Sequence, residues 1–217
     1  MKQILKVLVG SRAHGLATKE SDYDYRGVFV EKTSKILKLG ENIKNTKWIE
    51  NDVDNTSWEL GHFLQMAIKC NPTILETFVA PIIDITEEGI ELRELFQYVW
   101  NSVDVYNAFK GYGLNQRKKY LDNKDNRANK YAVACLRSLY QGCVLLSTDT
   151  FSTDMTSSPI YDYLKKWKSG DYQIGEVMQL CYDYELKIKK CYDNNPNKKT
   201  NLEKVNKYLL KQRQYYF

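Results

Sequence analysis

Histidine is nearly missing from this sequence. His14 and His62 are the only two, and nothing around them supports a Ser-His-Asp site. Cysteine is scattered: Cys70, Cys135, Cys143, Cys181 and Cys191 are odd in number and widely spaced, with no Cys-x-x-Cys. That argues against a disulfide framework and against a zinc site. Buried thiols in a reducing cytoplasm are the simple account. No stretch approaches the roughly 20 apolar residues of a membrane span. The opening Met-Lys-Gln-Ile lacks an apolar signal core, and no internal repeat or long low-complexity tract occurs. The expectation is a cytoplasmic protein with no membrane partner.

What is present suits a folded chain. The 217 residues are 43% hydrophobic and include 17 tyrosines, enough for one large domain or two small ones with a real core. The overall charge of +5 is unevenly spread. Residues 1–90 hold 11 basic and 13 acidic residues, a balance of −2, and residues 91–217 hold 21 and 14, a balance of +7. The second part could attract polyphosphate or nucleic acid, although any one lysine fits a solvated helix face equally well.

The pattern changes along the chain. "ILKVLV" (4–9) is a short apolar run ending at Gly10 and reads as a buried strand. "YDYRGVFV" (23–30) reads as a second strand, "KILKL" (35–39) as a possible third element and "TKWIE" (46–50) as a further strand. Leu60, Phe63, Leu64, Ala67 and Ile68 then follow helical spacing. Thr56 and Glu59 fit a capping box, which predicts a helix from about Thr56 that ends at Asn71-Pro72. "TILETFVAP" predicts another short helix, with Glu76 in a similar capping role. Helices are predicted at 90–121 (broken near Gly111 and Gly113), 127–146, 159–169, 173–193 and 200–214. The expected fold is α+β: a short mixed β-sheet backed by helices, then a helical C-terminal part. The expected division is a catalytic core at 1–90 and a helical domain at 91–217.

The chemistry gathers in one window. Asp22 and Asp24 are one residue apart at the head of a strand, where the pleat aligns positions i and i+2. Alone, such a pair is most often two solvated charges. Side by side they repel unless a cation lies between them, and magnesium takes hard oxygen ligands, often one or two carboxylates plus substrate phosphates. Gly10-Ser11 strengthens that reading. A glycine directly after a strand lets a ligand approach the backbone, and nearby N–H groups and a hydroxyl can bind phosphate oxygens. A third carboxylate would complete a two-metal site. Asp54 and Asp52 both lie in one short acidic stretch, and the residues alone leave the choice open.

"GSRAHGLATKESDYDYRGVFV" (10–30) resembles the signature of the DNA polymerase β-like nucleotidyltransferase superfamily. More narrowly, it is similar to the predicted nucleotidyltransferases of RNA-repair and RNA-ligase-associated systems, with their Gly-Ser-x-Ala-x-Gly-Leu-Ala loop and Ser-Asp-x-Asp-x-Arg-Gly run. "DNTSWELGHFLQMAIKCNPTILE" (54–76) extends the likeness and aligns Asp54 as the third carboxylate. "KYAVACLR" (130–137) extends it more loosely, with Ala134 where the family leads one to expect histidine. The resemblance implies transfer of a nucleoside monophosphate from a nucleoside triphosphate to an acceptor, with release of pyrophosphate. It implies that Gly10 and Ser11 bind the triphosphate. Asp22, Asp24 and Asp54 would bind magnesium or manganese, and Asp54 would help deprotonate the acceptor hydroxyl.

Other residues are weaker candidates. Lys130 and Arg137 share a helical face and could reach the triphosphate or an RNA backbone. "NQRKKY" (115–120) could touch an acceptor strand, but a charge run is usually solvated. His14 reads as an ordinary exposed loop residue and His62 as half-buried packing. The C-terminal aromatics read as packing. The acceptor is expected to be an RNA or tRNA end. A protein hydroxyl is the alternative, and a non-catalytic nucleotide- or RNA-binding module is the third reading.

Overall fold

The computed structural model describes residues 1–41, 43–50 and 53–217, with the backbone alone at 47–50 and 53–54. The elements in chain order begin β1 (Lys2–Val9), α1 (Gly10–Ala13), β2 (Asp24–Val30), α2 (Thr33–Ile36), β3 (Asn45–Glu50) and β4 (Val53–Glu59). α3 (Leu60–Ala67), α4 (Pro72–Val79), β5 (Ile82–Ile85), α5 (Glu87–Glu94) and α6 (Phe96–Val99) follow. The rest is helical: α7 (Ser102–Asp122), α8 (Ala128–Thr148), α9 (Tyr161–Lys168), α10 (Ile174–Asn194) and α11 (Leu202–Tyr215). No helix among the described residues is long and apolar enough to cross a membrane.

The strands form one mixed sheet in the order β3-β4-β2-β1-β5. β1 pairs antiparallel with both β2 and β5, β3 pairs antiparallel with β4, and β2 runs parallel to β4. The fold is α+β, as the pattern of apolar runs predicts. β1 follows from its apolar residues: Ile4, Leu5, Val7 and Val9 are buried in the same core as Phe63 of α3 and Ile74 and Phe78 of α4. The rings of Phe63 and Phe78 stand 5.0 Å apart.

Several expectations are corrected. The helix predicted from Thr56 starts at Leu60, and Thr56 lies on β4 opposite Arg26. Glu59 is itself the N-cap, accepting a 2.7 Å bond from the Gly61 N–H. It also takes a bidentate contact from Arg213 on α11, at 2.7 and 2.9 Å. The capping box fails because β4 holds 53–59 in ladder hydrogen bonds, which leave Thr56 no helix to cap. The short element expected at 35–39 is a single turn of helix, α2, at Thr33–Ile36. α4 is capped by Asn71, which accepts from Thr73 N at 3.0 Å and has Pro72 at the first helical position. Glu76 is therefore free for another task.

The break predicted near Gly111 and Gly113 lies earlier, at 95–101 between α5, α6 and α7. There Trp100 turns extended, and Asn101 caps α7 by accepting from Asp104 N at 2.9 Å. α7 runs unbroken through both glycines because Gly113 serves packing. A Cβ there would stand 2.8 Å from Leu139 Cγ, so its absence lets α7 approach α8. Gly142 does the same between Phe109 and Ile188. Helices matching 127–146, 159–169, 173–193 and 200–214 are all present within two residues at each end.

Candidate active site

A cleft of about 850 Å³ opens between the sheet corner where β1, β2 and β4 meet and the wall formed by α7, α8 and α9. Gly10 sits where β1 ends. Its φ of +69° is a backbone state that favours glycine. A Cβ on Gly10 would stand 2.3 Å from Asp24 Oδ2, so glycine is also needed to leave the Asp24 carboxylate its place. Ser11, on the single turn α1, lines the cleft beside it.

Asp24 opens β2 and stands between Val9 on β1 and Asp54 on β4. The parallel β2–β4 register thus sets the backbones of Asp24 and Asp54 directly opposite each other. Asp52, the competing third carboxylate, lies outside the described residues. Asp22 precedes the strand, so the pleat does not position it. Arg12 does: its guanidinium donates to Ser21 O at 2.7 Å and Asp22 O at 3.2 Å and lies over the Tyr23 ring at 3.8 Å. The loop is held from the helical side too. Tyr161 Oη donates to Gly15 O at 2.8 Å, and Lys168 Nζ donates to Leu16 O at 2.5 Å and to Ser21 Oγ at 3.4 Å. Asp22 and Asp24 both line the cleft.

The facing wall is basic. Lys130, Ala134 and Arg137 recur along one side of α8 and line the cleft with Arg127 just before the helix, and Lys168 and Tyr172 lie beyond them. Lys130 is exposed. Arg137 is less available than its spacing suggests. It forms an ion pair with buried Glu76 and donates to Gln141 Oε1 at 2.9 Å. Glu76, expected as a cap, instead joins α4 to α8 under the cleft. Burial alone would raise its carboxyl, but the Arg137 guanidinium, and more weakly Arg26, hold it below the ordinary carboxylate value.

His14 is not an exposed loop residue. It is buried because the 153–156 segment covers it: Met155 N donates to His14 O at 3.3 Å, and His14 Nδ1 donates to Thr153 O at 2.9 Å. That bond leaves Nε2 as the bare nitrogen, 3.9 Å from Glu76 Oε1. Burial, and then Arg137, push the imidazole down to about 4, so it is neutral near pH 7. His62 is half-buried on α3, as expected.

The 115–120 run does not line the cleft. Gln116 and Tyr120 are buried, and Arg117 pairs with Glu185. At the C-terminus Tyr216 packs, donating to Glu88 Oε1 at 2.8 Å, whereas Tyr215 and Phe217 are exposed. Sequence reasoning gave no role to Arg26, Thr73 or Tyr112, which line the cleft floor with Glu76. For Arg26 a signal existed: it continues the i, i+2 alternation from Asp24.

Among the described residues no group of three His, Cys, Asp or Glu side chains could hold a metal by itself. Two carboxylates are nonetheless a common protein share for magnesium, which completes its shell with water and phosphate oxygens. The all-oxygen donor set of Asp22 and Asp24 fits such an ion in company with a phosphate-bearing substrate. The free cysteines lie elsewhere, and four of the five are buried.

The cleft thus sets a glycine-serine turn, packed against the Asp24 carboxylate, opposite a basic helical wall. Residues 1–165 match the RNA repair pathway DNA polymerase beta family, RlaP, and the chain belongs to that family. It is 26% identical over 141 residues to an uncharacterized 38.9 kDa protein of Enterobacteria phage T4, covering 61% of this chain and 40% of that protein. It is 26% identical over 134 residues to the uncharacterized protein YcgL of Bacillus subtilis, covering 60% and 52%. The chain thus spans about half or less of the length of these relatives. A crystal structure of a nucleotidyltransferase-like protein from Exiguobacterium sibiricum covers 99% of this chain and 74% of its own. Its identity is 10% and its TM-score 0.32.

Proposed function

We propose that the protein transfers a nucleoside monophosphate from a nucleoside triphosphate to a hydroxyl at an RNA end, tRNA ends among them, and releases pyrophosphate. The observation that carries this reading is the convergence at one sheet corner. Gly10 abuts the Asp24 carboxylate, and Asp24 stands opposite Asp54 in the β2–β4 register.

In this reading Asp22, Asp24 and Asp54 hold the divalent ion, magnesium or manganese. When bound, that ion neutralises phosphate charge and makes the acceptor hydroxyl easier to deprotonate. The Ser11 hydroxyl and the open backbone at Gly10 receive the terminal phosphates. Lys130 faces them from α8 and offsets their charge, with Arg137, held by Glu76, beside it. Asp54 takes the proton from the attacking hydroxyl. Pyrophosphate leaves toward the basic wall. Most of the rate enhancement then comes from positioning and charge neutralisation rather than covalent chemistry. His14 acts as a neutral support under the loop, because its Nδ1–H is spent on Thr153 O.

The RNA acceptor is supported by the family's RNA-repair character and by the net +7 of residues 91–217. The test is incubation with each of the four triphosphates labelled at the α-phosphate, with magnesium and RNA. Label should enter RNA in a form sensitive to RNase, and it should be lost in Asp22→Ala and Asp24→Ala. Label that resists RNase but yields to protease would move the acceptor to a protein. Labelling that survives both substitutions would sink the carboxylate assignment.

A further inference from the structure

Arg26 is the one cleft-lining cation for which neither an ion pair nor a hydrogen bond is found among the described residues apart from exposed Lys130. It follows Asp24 by two on β2, so the pleat turns both toward the cleft. It stands opposite Thr56 on β4. Its guanidinium lies 5.4 Å from the Trp58 ring centroid, and its Nε is buried with no hydrogen-bond partner. A buried donor left unpaired is costly, and more so on a charged group. Glu76 supplies one negative charge, which Arg137 already takes in an ion pair, and His14 is neutral. Arg26, Arg137 and Glu76 thus meet on the cleft floor, with the Asp24 carboxylate lining the same cleft.

We infer that Arg26, with Arg137 across the cleft floor and Thr56 beside it, forms a seat for a phosphoryl oxyanion, separate from the Gly10-Ser11 turn. A guanidinium suits this task because its planar fork matches phosphate oxygens bidentately. Glu76 acts here as a positioning residue: it orients Arg137 through their ion pair. The chemistry has two sources, the triphosphate of the nucleotide or a terminal phosphate on the RNA acceptor. The seat deepens the nucleotidyl-transfer reading and rests on it only for the identity of these sources.

The test is equilibrium binding to wild type, Arg26→Met and Arg26→Lys, read without turnover. The probes are inorganic tripolyphosphate, magnesium with each nucleoside triphosphate in the absence of acceptor, and one RNA oligonucleotide with and without a terminal phosphate. Arg26→Met should weaken at least one phosphate-bearing probe by about tenfold or more, and leave the unphosphorylated oligonucleotide unchanged. A loss seen with the triphosphates assigns the seat to the nucleotide. A loss confined to the phosphorylated RNA assigns it to the acceptor. Arg26→Lys guards against misfolding: it keeps the charge and should still bind more weakly, since an ammonium lacks the fork. Binding of every probe to Arg26→Met within about twofold of wild type, or no binding of any probe to wild type, overturns the seat. Acceptor labelling that succeeds while binding ignores Arg26 refutes the seat alone. Arg26-dependent binding without any labelling refutes the transfer reading alone.

Discussion

Replacing Gly10 by alanine should separate backbone strain from damage to the site. At a φ of +69° a non-glycine residue costs about 1–2 kcal/mol. The new Cβ would also stand 2.3 Å from Asp24 Oδ2 and 3.3 Å from its Cγ, against an ordinary contact of 3.4 Å or more. A carboxylate is the flexible end of a side chain, so it can swing away at little energetic cost. It must then move by about 1 Å, and a displacement of that size at a reacting centre costs on the order of 100-fold in rate. Gly40 provides the control: its φ is +83° and nothing lies within 4 Å of a Cβ there. Both Gly10→Ala and Gly40→Ala should lower the melting temperature by roughly 2–8 °C for a chain of this size. Only Gly10→Ala should lose about two orders of magnitude in initial rate of acceptor labelling. A Gly10→Ala rate within about twofold of Gly40→Ala would refute the argument that glycine is there to seat Asp24.

Three further outcomes are expected. His14 titrates at an ordinary 6.5 when unfolded and at about 4 when folded, so between those values the unfolded chain alone binds the proton. Stability is thus full above pH 6.5 and falls as pH drops toward 4, by about 1.4 kcal/mol per pH unit from this group. His14→Gln should flatten that part of a melting-temperature profile, and an unchanged slope would remove His14 as its source. Arg213→Ala leaves the buried Glu59 carboxylate without its bidentate partner and should cost about 3–5 kcal/mol. The urea midpoint reads this loss, and a cost below about 1 kcal/mol would class the pair with exposed ones. On α7, Gly111 has open space where a Cβ would go and Gly113 has Leu139 at 2.8 Å. Gly111→Ala should stabilise by about 0.5–1 kcal/mol, and Gly113→Ala should destabilise by about 1–3 kcal/mol through overpacking.

The readable parts of this molecule are those whose signal is local. "ILKVLV" shows its strand because the burial is dense, and the long helices show their 3.6 period. Gly10, Ser11, Asp22 and Asp24 stand out because the turn and both carboxylates fall within 15 residues, directly after a strand. β4 was hidden: "VDNTSWE" has no apolar alternation, and Thr56 and Glu59 mimic a cap. β5 is a four-residue edge strand with Ile82 and Ile83 half exposed, too short for a periodic signal. The roles of His14 and Glu76 depend on partners far along the chain, Thr153 and Arg137. Only tertiary packing brings those together, so a polar loop reads as exposed and a threonine-glutamate spacing reads as a cap.

The central claim, that the sheet corner binds a metal-triphosphate, is tested most directly by thermal melting with a non-hydrolysable triphosphate and magnesium. At 100 times the dissociation constant such a ligand adds about 2.7 kcal/mol, a rise of roughly 5–10 °C here. The rise should need magnesium and should fall by more than about half in Asp24→Ala. The same rise in the presence of EDTA or in Asp24→Ala, or no rise with any of the four bases, would contradict the account.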